Sequence, residues 1–205
     1  MIAIPSFVGF LVLANPILAL LFNGNIDISA NMLRLGAITV VFYCMSTVTN
    51  AILQGLNKMT TPVKHGAISL CIHLAGLFIM LVIFKMGIYA VVASNIIFSL
   101  SMCILNARAL KREAAYHQEV EKTFLIPAVA AVVMGVVALV IYFLCNLVMS
   151  QNIAVIIALL VAVVVYGVSL LKFGGLSQEE ILALPKGSTL LSLFQKLHLV
   201  KEEYA

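Results

Sequence analysis

Six long apolar stretches constrain the fold of this chain more than any other feature. They lie at about 2–22, 32–56, 63–84, 87–110, 124–149 and 152–173. A helix needs roughly 20 mostly apolar residues to cross a bilayer, and in lipid only helices and closed barrels satisfy all their backbone hydrogen bonds. Barrel strands alternate in polarity at every second residue, which these stretches do not. The sequence therefore predicts an all-α polytopic membrane protein with six transmembrane helices.

Composition supports this class and narrows the partners. Of the 205 residues, 63% are hydrophobic and 10% are charged, whereas a soluble domain has about 25% charged residues. The formal net charge of +4 fits cytoplasmic loops beside anionic headgroups. Lysines and arginines do not cluster with aromatic residues, so we expect membrane lipids as partners and no nucleic acid.

The distribution of basic residues predicts the orientation. If the N-terminus is cytoplasmic, ten of the twelve lysines and arginines fall on the inner side, and only Arg34 and Lys85 fall outside. The inner ones are Lys58, Lys64, Arg108, Lys111, Arg112, Lys122, Lys172, Lys186, Lys196 and Lys201. By the positive-inside rule, both termini are then cytoplasmic.

The chain divides into four segments by composition. Residues 1–110 hold four spans, 111–123 form a charged cytoplasmic connector, and 124–173 hold a second pair of spans. Residues 174–205 form a cytoplasmic tail. Ser177 and Glu180 match a capping box that predicts a short helix, and the residues after 188 predict an amphipathic helix. This tail lies in the inner headgroup layer, packs under the bundle, or simply solubilises the chain.

Polar residues in the spans fall on helical faces. In the second span, Tyr43, Thr47, Asn50 and Gln54 are three or four residues apart, which places them on one face. Polar side chains in lipid usually face a bundle interior or a wet cavity. The pattern predicts one wall of a substrate cavity, although the same residues can instead join helices to one another.

The third and fourth spans carry similar faces. Ser69 and His73 lie on the third span, and Asn95, Ser99 and Asn106 lie on the fourth. We expect Ser69, His73 and Asn95 opposite or adjacent to the cavity wall. His73 is interpreted either as a proton-linked group or as a neutral ring bonded to a neighbouring helix. The fifth and sixth spans have almost no polar residues and tolerate lipid nearly all round.

No pattern predicts catalysis, a cofactor or a metal. The chain has no HExxH motif, no phosphate-cradling glycine loop beside a lysine, and no Ser/His/Asp set near one membrane face. Its four cysteines lie in apolar stretches without metal-ligand spacing, which predicts small buried hydrophobes. Arg34, near the outer mouth, is expected to contact an anionic headgroup or pyrophosphate, or to anchor at the interface.

Several short motifs resemble one family of transporters. Segment 53–62 (LQGLNKMTTP) resembles the ends of the fourth and tenth helices of the multidrug/oligosaccharidyl-lipid/polysaccharide exporter superfamily. Segment 4–22 is similar to the ninth helix, and 87–93 to the entry of the twelfth. Segment 184–197 is similar to the branch of polysaccharide biosynthesis and stage V sporulation protein B proteins, which is related to lipid II flippases.

The resemblance implies a particular architecture. Residues 1–110 would be helices nine to twelve of a two-lobed exporter, and 124–173 the pair that flippase branches add. The N-terminal lobe and the first two helices of the second lobe would be missing because the reading frame is truncated, partial or split, in the last case with the N-terminal lobe as a separate chain. The function implied is outward movement of a lipid-linked sugar or peptidoglycan precursor across a bacterial cytoplasmic membrane, by alternating access.

Two other functions stay open. One is half of a cation-coupled multidrug exporter. The other is a non-transporting membrane scaffold that recruits wall-synthesis partners through its tail. A truncated and inactive product is also compatible with the sequence.

Overall fold

The computed structural model describes residues 1–22, 24–114, 124–175 and 182, and these residues form six α-helices. They are α1 (Ala3–Leu21), α2 (Asp27–Gly55), α3 (Thr60–Val82), α4 (Tyr89–Ala114), α5 (Ile126–Val148) and α6 (Gln151–Lys172). Each is long and apolar enough to cross a membrane. The prediction of a polytopic helical membrane protein is confirmed. The predicted tail helices lie outside the described residues.

Two helices are longer than their apolar stretches. The second begins at Asp27, five residues before the predicted start, and the amide nitrogen of Asp27 donates to Asn25 Oδ1. An acidic residue in the first turn is favoured by the helix dipole. The fourth continues to Ala114 with Lys111 and Arg112 in its last turn, where the dipole favours cations. The predicted connector therefore begins as helix.

The described residues fall into two compact units. One contains α2, α3, α4 and α1 from Gly9 onward, and the other contains α5, α6 and residues Met1–Val8. In the second unit, the hydroxyl of Tyr166 donates to the carbonyl of Met1 at 2.8 Å. Each unit has its own internal packing.

Small residues bring α5 and α6 together. Ala130 and Ala131 on α5 and Ala154 and Ala158 on α6 have no exposed surface. Small side chains let helix backbones approach closely, which is how membrane helices associate when lipid is as apolar as leucine. The outer faces carry exposed valine, leucine and phenylalanine. The interface between α5 and α6 is therefore lined by small side chains, and the outer surface of the pair carries bulky apolar ones.

Two glycines end α6. The amide of Gly174 donates to Leu171 at 3.1 Å, and that of Gly175 donates to Leu170 at 2.9 Å. This pair of bonds is a Schellman motif. Gly174 has φ +71°, a conformation that costs a residue with a Cβ about 1–2 kcal/mol.

In the other unit, α4 is the central helix. It packs along both α2 and α3, which contact each other only slightly. Three glycines face α4 at ordinary contact distance, because a Cβ on Gly36, Gly66 or Gly76 would meet a side chain of α4 at 3.6–3.9 Å. The short turns joining these helices make α2 and α4 parallel to each other and α3 antiparallel to both.

The turn of α6 gives a test of the fold. We expect Gly174→Ala to lower the free energy of unfolding by about 1–2 kcal/mol, because alanine is strained at positive φ. Gly167→Ala is the matched control, since it lies inside α6 with open space around its Cβ position. Steric trapping of unfolding in bicelles measures both. Equal effects of the two variants would contradict the assigned end of α6.

Candidate functional site

One buried amide joins α2, α3 and α4 in the unit that runs from Gly9 through α4, which we call the larger unit. Asn106 on α4 has no exposed surface. Its Nδ2 donates to Asn50 Oδ1 on α2 at 2.7 Å, and its Oδ1 lies 2.8 Å from His65 Nδ1 on α3. Because Oδ1 accepts, His65 carries a proton on Nδ1. We call these three residues the amide bridge.

The amide bridge holds polar groups that lipid cannot solvate. A hydrogen bond between membrane helices contributes about 0.6 kcal/mol on average. Removing one partner costs more, because a buried donor or acceptor left unpaired loses about 1–3 kcal/mol. Asn106 satisfies a partner on each neighbouring helix, so its loss leaves both Asn50 and His65 unpaired.

Two further sets of contacts align α2, α3 and α4 along their axes. Toward one end, Lys58 Nζ lies 3.1 Å from Glu113 Oε2, with both side chains partly exposed. Toward the other, Phe98 on α4 contacts Tyr43 on α2 and His73 on α3, with ring centroids 5.9 Å apart in each pair. An exposed ion pair contributes about 0–1 kcal/mol, so the charged pair marks the register more than it stabilises it.

The residues predicted to line one cavity differ in their burial and their partners. Ser69 is fully buried, and neither Ser69 Oγ nor His73 Nδ1 has a hydrogen-bond partner among the described residues. Asn50 belongs to the amide bridge. The other four predicted residues are exposed: Tyr43, Thr47, Gln54 and Asn95. The predicted cavity, with Tyr43, Thr47, Asn50 and Gln54 on one wall and the other three residues opposite or adjacent, stays a prediction, and its members differ in burial.

The physical reason is the direction of α2. Its buried face contains Thr39, Ser46 and Leu53, which are seven residues apart. At about 100° per residue, Asn50 lies close to that face. The predicted stripe is turned partly away from it. The hydroxyl of Thr47 is satisfied within α2, because it donates to the carbonyl of Tyr43 at 2.9 Å.

Two members of the amide bridge were not among the predicted site residues. His65 lies beside Lys64 at the polar start of the third span, so the sequence does not indicate that it lies inside the bundle. The available signal was the spacing of His65, Ser69 and His73, four residues apart on one face. Asn106 was placed on a polar face, but helical periodicity does not reveal which residue on another helix it meets.

Arg34 has a role within the fold. Its Nε donates to the carbonyl of Leu11 on α1 at 3.2 Å, and its Nη1 donates to Asn31 Oδ1 at 3.3 Å. Near Leu11 the helix is broken, since Leu13 has φ −105° and ψ 18° and Pro16 follows. A proline kink frees carbonyl groups in the preceding turn. Arg34 thus binds the backbone where α1 bends.

The described residues contain no group of three His, Cys, Asp or Glu side chains able to hold a metal ion. The four cysteines are free thiols. Burial was predicted for all of them, but only Cys103 is buried, and Cys44 and Cys71 are exposed. In a membrane helix a thiol can face lipid as a small hydrophobe, which explains why apolar sequence context did not imply burial.

No model of a protein family, no curated protein and no solved structure matches this chain. The resemblance to the exporter superfamily therefore stays a prediction from sequence motifs.

The amide bridge gives a test of the site. We expect Asn106→Ala to lower the free energy of unfolding by about 1–3 kcal/mol, because Asn50 and His65 lose their shared partner. Asn95→Ala is the matched control: an exposed asparagine on the same helix, expected to change stability by less than about 0.5 kcal/mol. Steric trapping in bicelles measures both. Equal effects would contradict the structural role of Asn106.

Proposed function

We propose that this chain is the C-terminal part of a transporter that moves a polyprenyl-linked sugar or peptidoglycan precursor outward across a bacterial cytoplasmic membrane. One observation carries the proposal. The membrane-spanning helix α2 exposes Thr47, Gln54 and part of Tyr43 on one side, and α3 and α4 leave this side largely uncovered. Polar groups at membrane depth usually face a cavity or another protein surface.

The chemistry of this face suits a sugar. A phenol and an amide supply neutral hydrogen-bond donors and acceptors, which match hydroxyl and acetamido groups. The sequence has no aspartate or glutamate between Asp27 and Glu113. An organic cation would therefore find no carboxylate on α3 or on the membrane-spanning parts of α2 and α4. This favours a lipid-linked sugar over the cationic substrate of a multidrug exporter.

The second unit supplies a surface that fits a lipid tail. On α5, Val132, Val136 and Val140 are each more than half exposed, and on α6 the same holds for Leu160 and Val163. The sequence resemblance assigns this pair to flippase branches rather than to drug exporters. An amphiphilic precursor requires an apolar surface for its lipid tail as well as polar groups for its sugar.

The exposed side of α2 also needs a partner. The resemblance supplies one, an N-terminal lobe in the same protein or in a separate chain, which would form the opposite wall. Alternating access would then move the two lobes relative to each other around the substrate. The amide bridge would keep α2, α3 and α4 together during that movement.

Charge at the helix ends supports the proposed orientation. The end of the larger unit marked by the Lys58–Glu113 pair also carries basic residues at the start of α3 and the end of α4. They are Lys64, Arg108, Lys111 and Arg112. The opposite end carries Arg34 and Lys85. The positive-inside rule then places the first end, and both termini, in the cytoplasm.

Cysteine labelling tests this orientation. In a variant without native cysteines, we expect Lys85→Cys to react with a membrane-impermeant maleimide in intact cells. Lys58→Cys should react only after the cells are opened, because it would lie on the cytoplasmic side. Both are loop positions with exposed side chains. The reverse pattern would overturn the orientation.

Photo-crosslinking tests the substrate. A diazirine amino acid is placed at Gln54 or Tyr43 in the protein in its native membrane, together with radiolabelled polyprenyl-diphosphate-linked precursor. We expect labelling at both positions, at least tenfold above that at Val48. Val48 is the matched control because it is exposed on another side of α2.

A functional assay completes the test. The combined change Tyr43→Leu and Gln54→Leu should slow the appearance of precursor at the outer surface at least tenfold, and Val48→Ala should leave it within twofold. Equal crosslinking at all three positions with an unchanged rate would contradict the proposal. Loss of organic-cation efflux alone would point to the multidrug exporter, and binding of wall-synthesis proteins without transport would point to the scaffold.

A further inference from the structure

Two buried hydroxyl groups lie inside the larger unit without hydrogen-bond partners. Ser46 on α2 is 3% exposed and Ser69 on α3 is 0% exposed. Neither Oγ atom has a partner among the described residues. Other serines of this unit bond to their own helix, since Ser94, Ser99 and Ser101 each donate to the carbonyl three residues earlier. Ser46 and Ser69 are therefore exceptions within the same bundle.

The contacts on either side place these two serines at the same height. On α2, Ser46 lies between Tyr43 and Asn50, and on α3, Ser69 lies between His73 and His65. Tyr43 and His73 both contact Phe98, and Asn50 and His65 both bond to Asn106. Because both ends of each interval are fixed to α4, both serines lie level with its middle section between Phe98 and Asn106.

A third unpartnered atom lies one turn away. His73 Nδ1 is buried and has no hydrogen-bond partner among the described residues, and His73 lies two turns after His65 of the amide bridge on the same face of α3. Unpartnered buried polar atoms are rare in native proteins, and a bound water molecule is their usual partner. Three of them in neighbouring turns indicate one polar site rather than three separate defects.

We propose that α2, α3 and α4 enclose a bound-water site held by Ser46 and Ser69 and extending toward His73. Water fits this set because a hydroxyl group both donates and accepts, and one ring nitrogen of a neutral histidine does either. A metal cation needs several oxygen ligands, and two hydroxyl groups do not provide them. The site is independent of the proposed transport function.

Alanine variants distinguish a bound water from dry hydroxyl groups. If the serines share water, we expect Ser46→Ala and Ser69→Ala each to lower Tm by about 2–4 °C, the shift typical of a loss of about 1 kcal/mol in a chain of this size. The double variant should lower Tm no further than the more damaging single change, since the shared water is then already lost. Thermal unfolding is followed by size-exclusion chromatography of the heated full chain in detergent.

Ser99→Ala is the matched control, because Ser99 is equally buried but bonds to its own helix. If the two serines share a water, the change in Tm caused by Ser99→Ala should add to that caused by Ser69→Ala. An increase in Tm for Ser46→Ala or Ser69→Ala would show that the hydroxyl is dry and merely costly to bury. No change, or additive losses in the Ser46 and Ser69 double variant, would equally overturn a shared water.

Radiolytic labelling in H₂¹⁸O tests the unmodified protein directly. Hydroxyl radicals formed from a bound water oxidise sulfur atoms beside it, and Met102 and Cys103 lie at the height of the two serines. We expect ¹⁸O at one or both of them, and its loss in the Ser46→Ala and Ser69→Ala double variant. Met134, a buried methionine on α5, should stay unlabelled. Absence of label at Met102 and Cys103 would overturn the site.

Discussion

The packing of the larger unit depends on one buried amide, which needs hydrogen-bond partners. Asn106 lies on the helix that packs against both neighbours, and lipid offers its amide nothing to bond with. Asn50 and His65 satisfy it from opposite sides at 2.7 and 2.8 Å. Only one height of α2 and of α3 allows both bonds. The apolar surfaces of these helices would pack in several registers, and the amide bridge selects one of them.

This arrangement separates two roles along α2. Its buried face, with Asn50 close to it, holds the bundle together, whereas Gln54 is exposed and Tyr43 is partly exposed beside Phe98. A helix whose polar groups were all used in packing would have none left to bind a substrate. The pair α5–α6 shows the contrast: alanines pack its interior, and the exposed side chains along its middle turns are apolar. The proposed transport function rests on this difference between the two units.

The lengths of the hydrophobic stretches predicted the number and approximate position of the helices, because a helix must be long and apolar enough to cross a membrane. The ends were less predictable, since Asp27 and Lys111–Glu113 continue helices into water where apolar length gives no signal. Asn50 was found from its helical face, but its partners were not. Periodicity gives the direction of a side chain around its own helix. It does not give the register between helices, which Asn106 and His65 determine through contacts 41 and 56 residues apart.

The hydrogen bond between His65 and Asn106 holds α3 against α4 in the membrane. Solid-state NMR of the full chain in lipid bilayers, with labelled histidine and asparagine, measures the dipolar coupling between the His65 ring nitrogen and the Asn106 side chain. The structure predicts a coupling at hydrogen-bond range with the proton on Nδ1, and its loss in Asn106→Ala. A His65 ring without this coupling, in free exchange with water, would contradict the account.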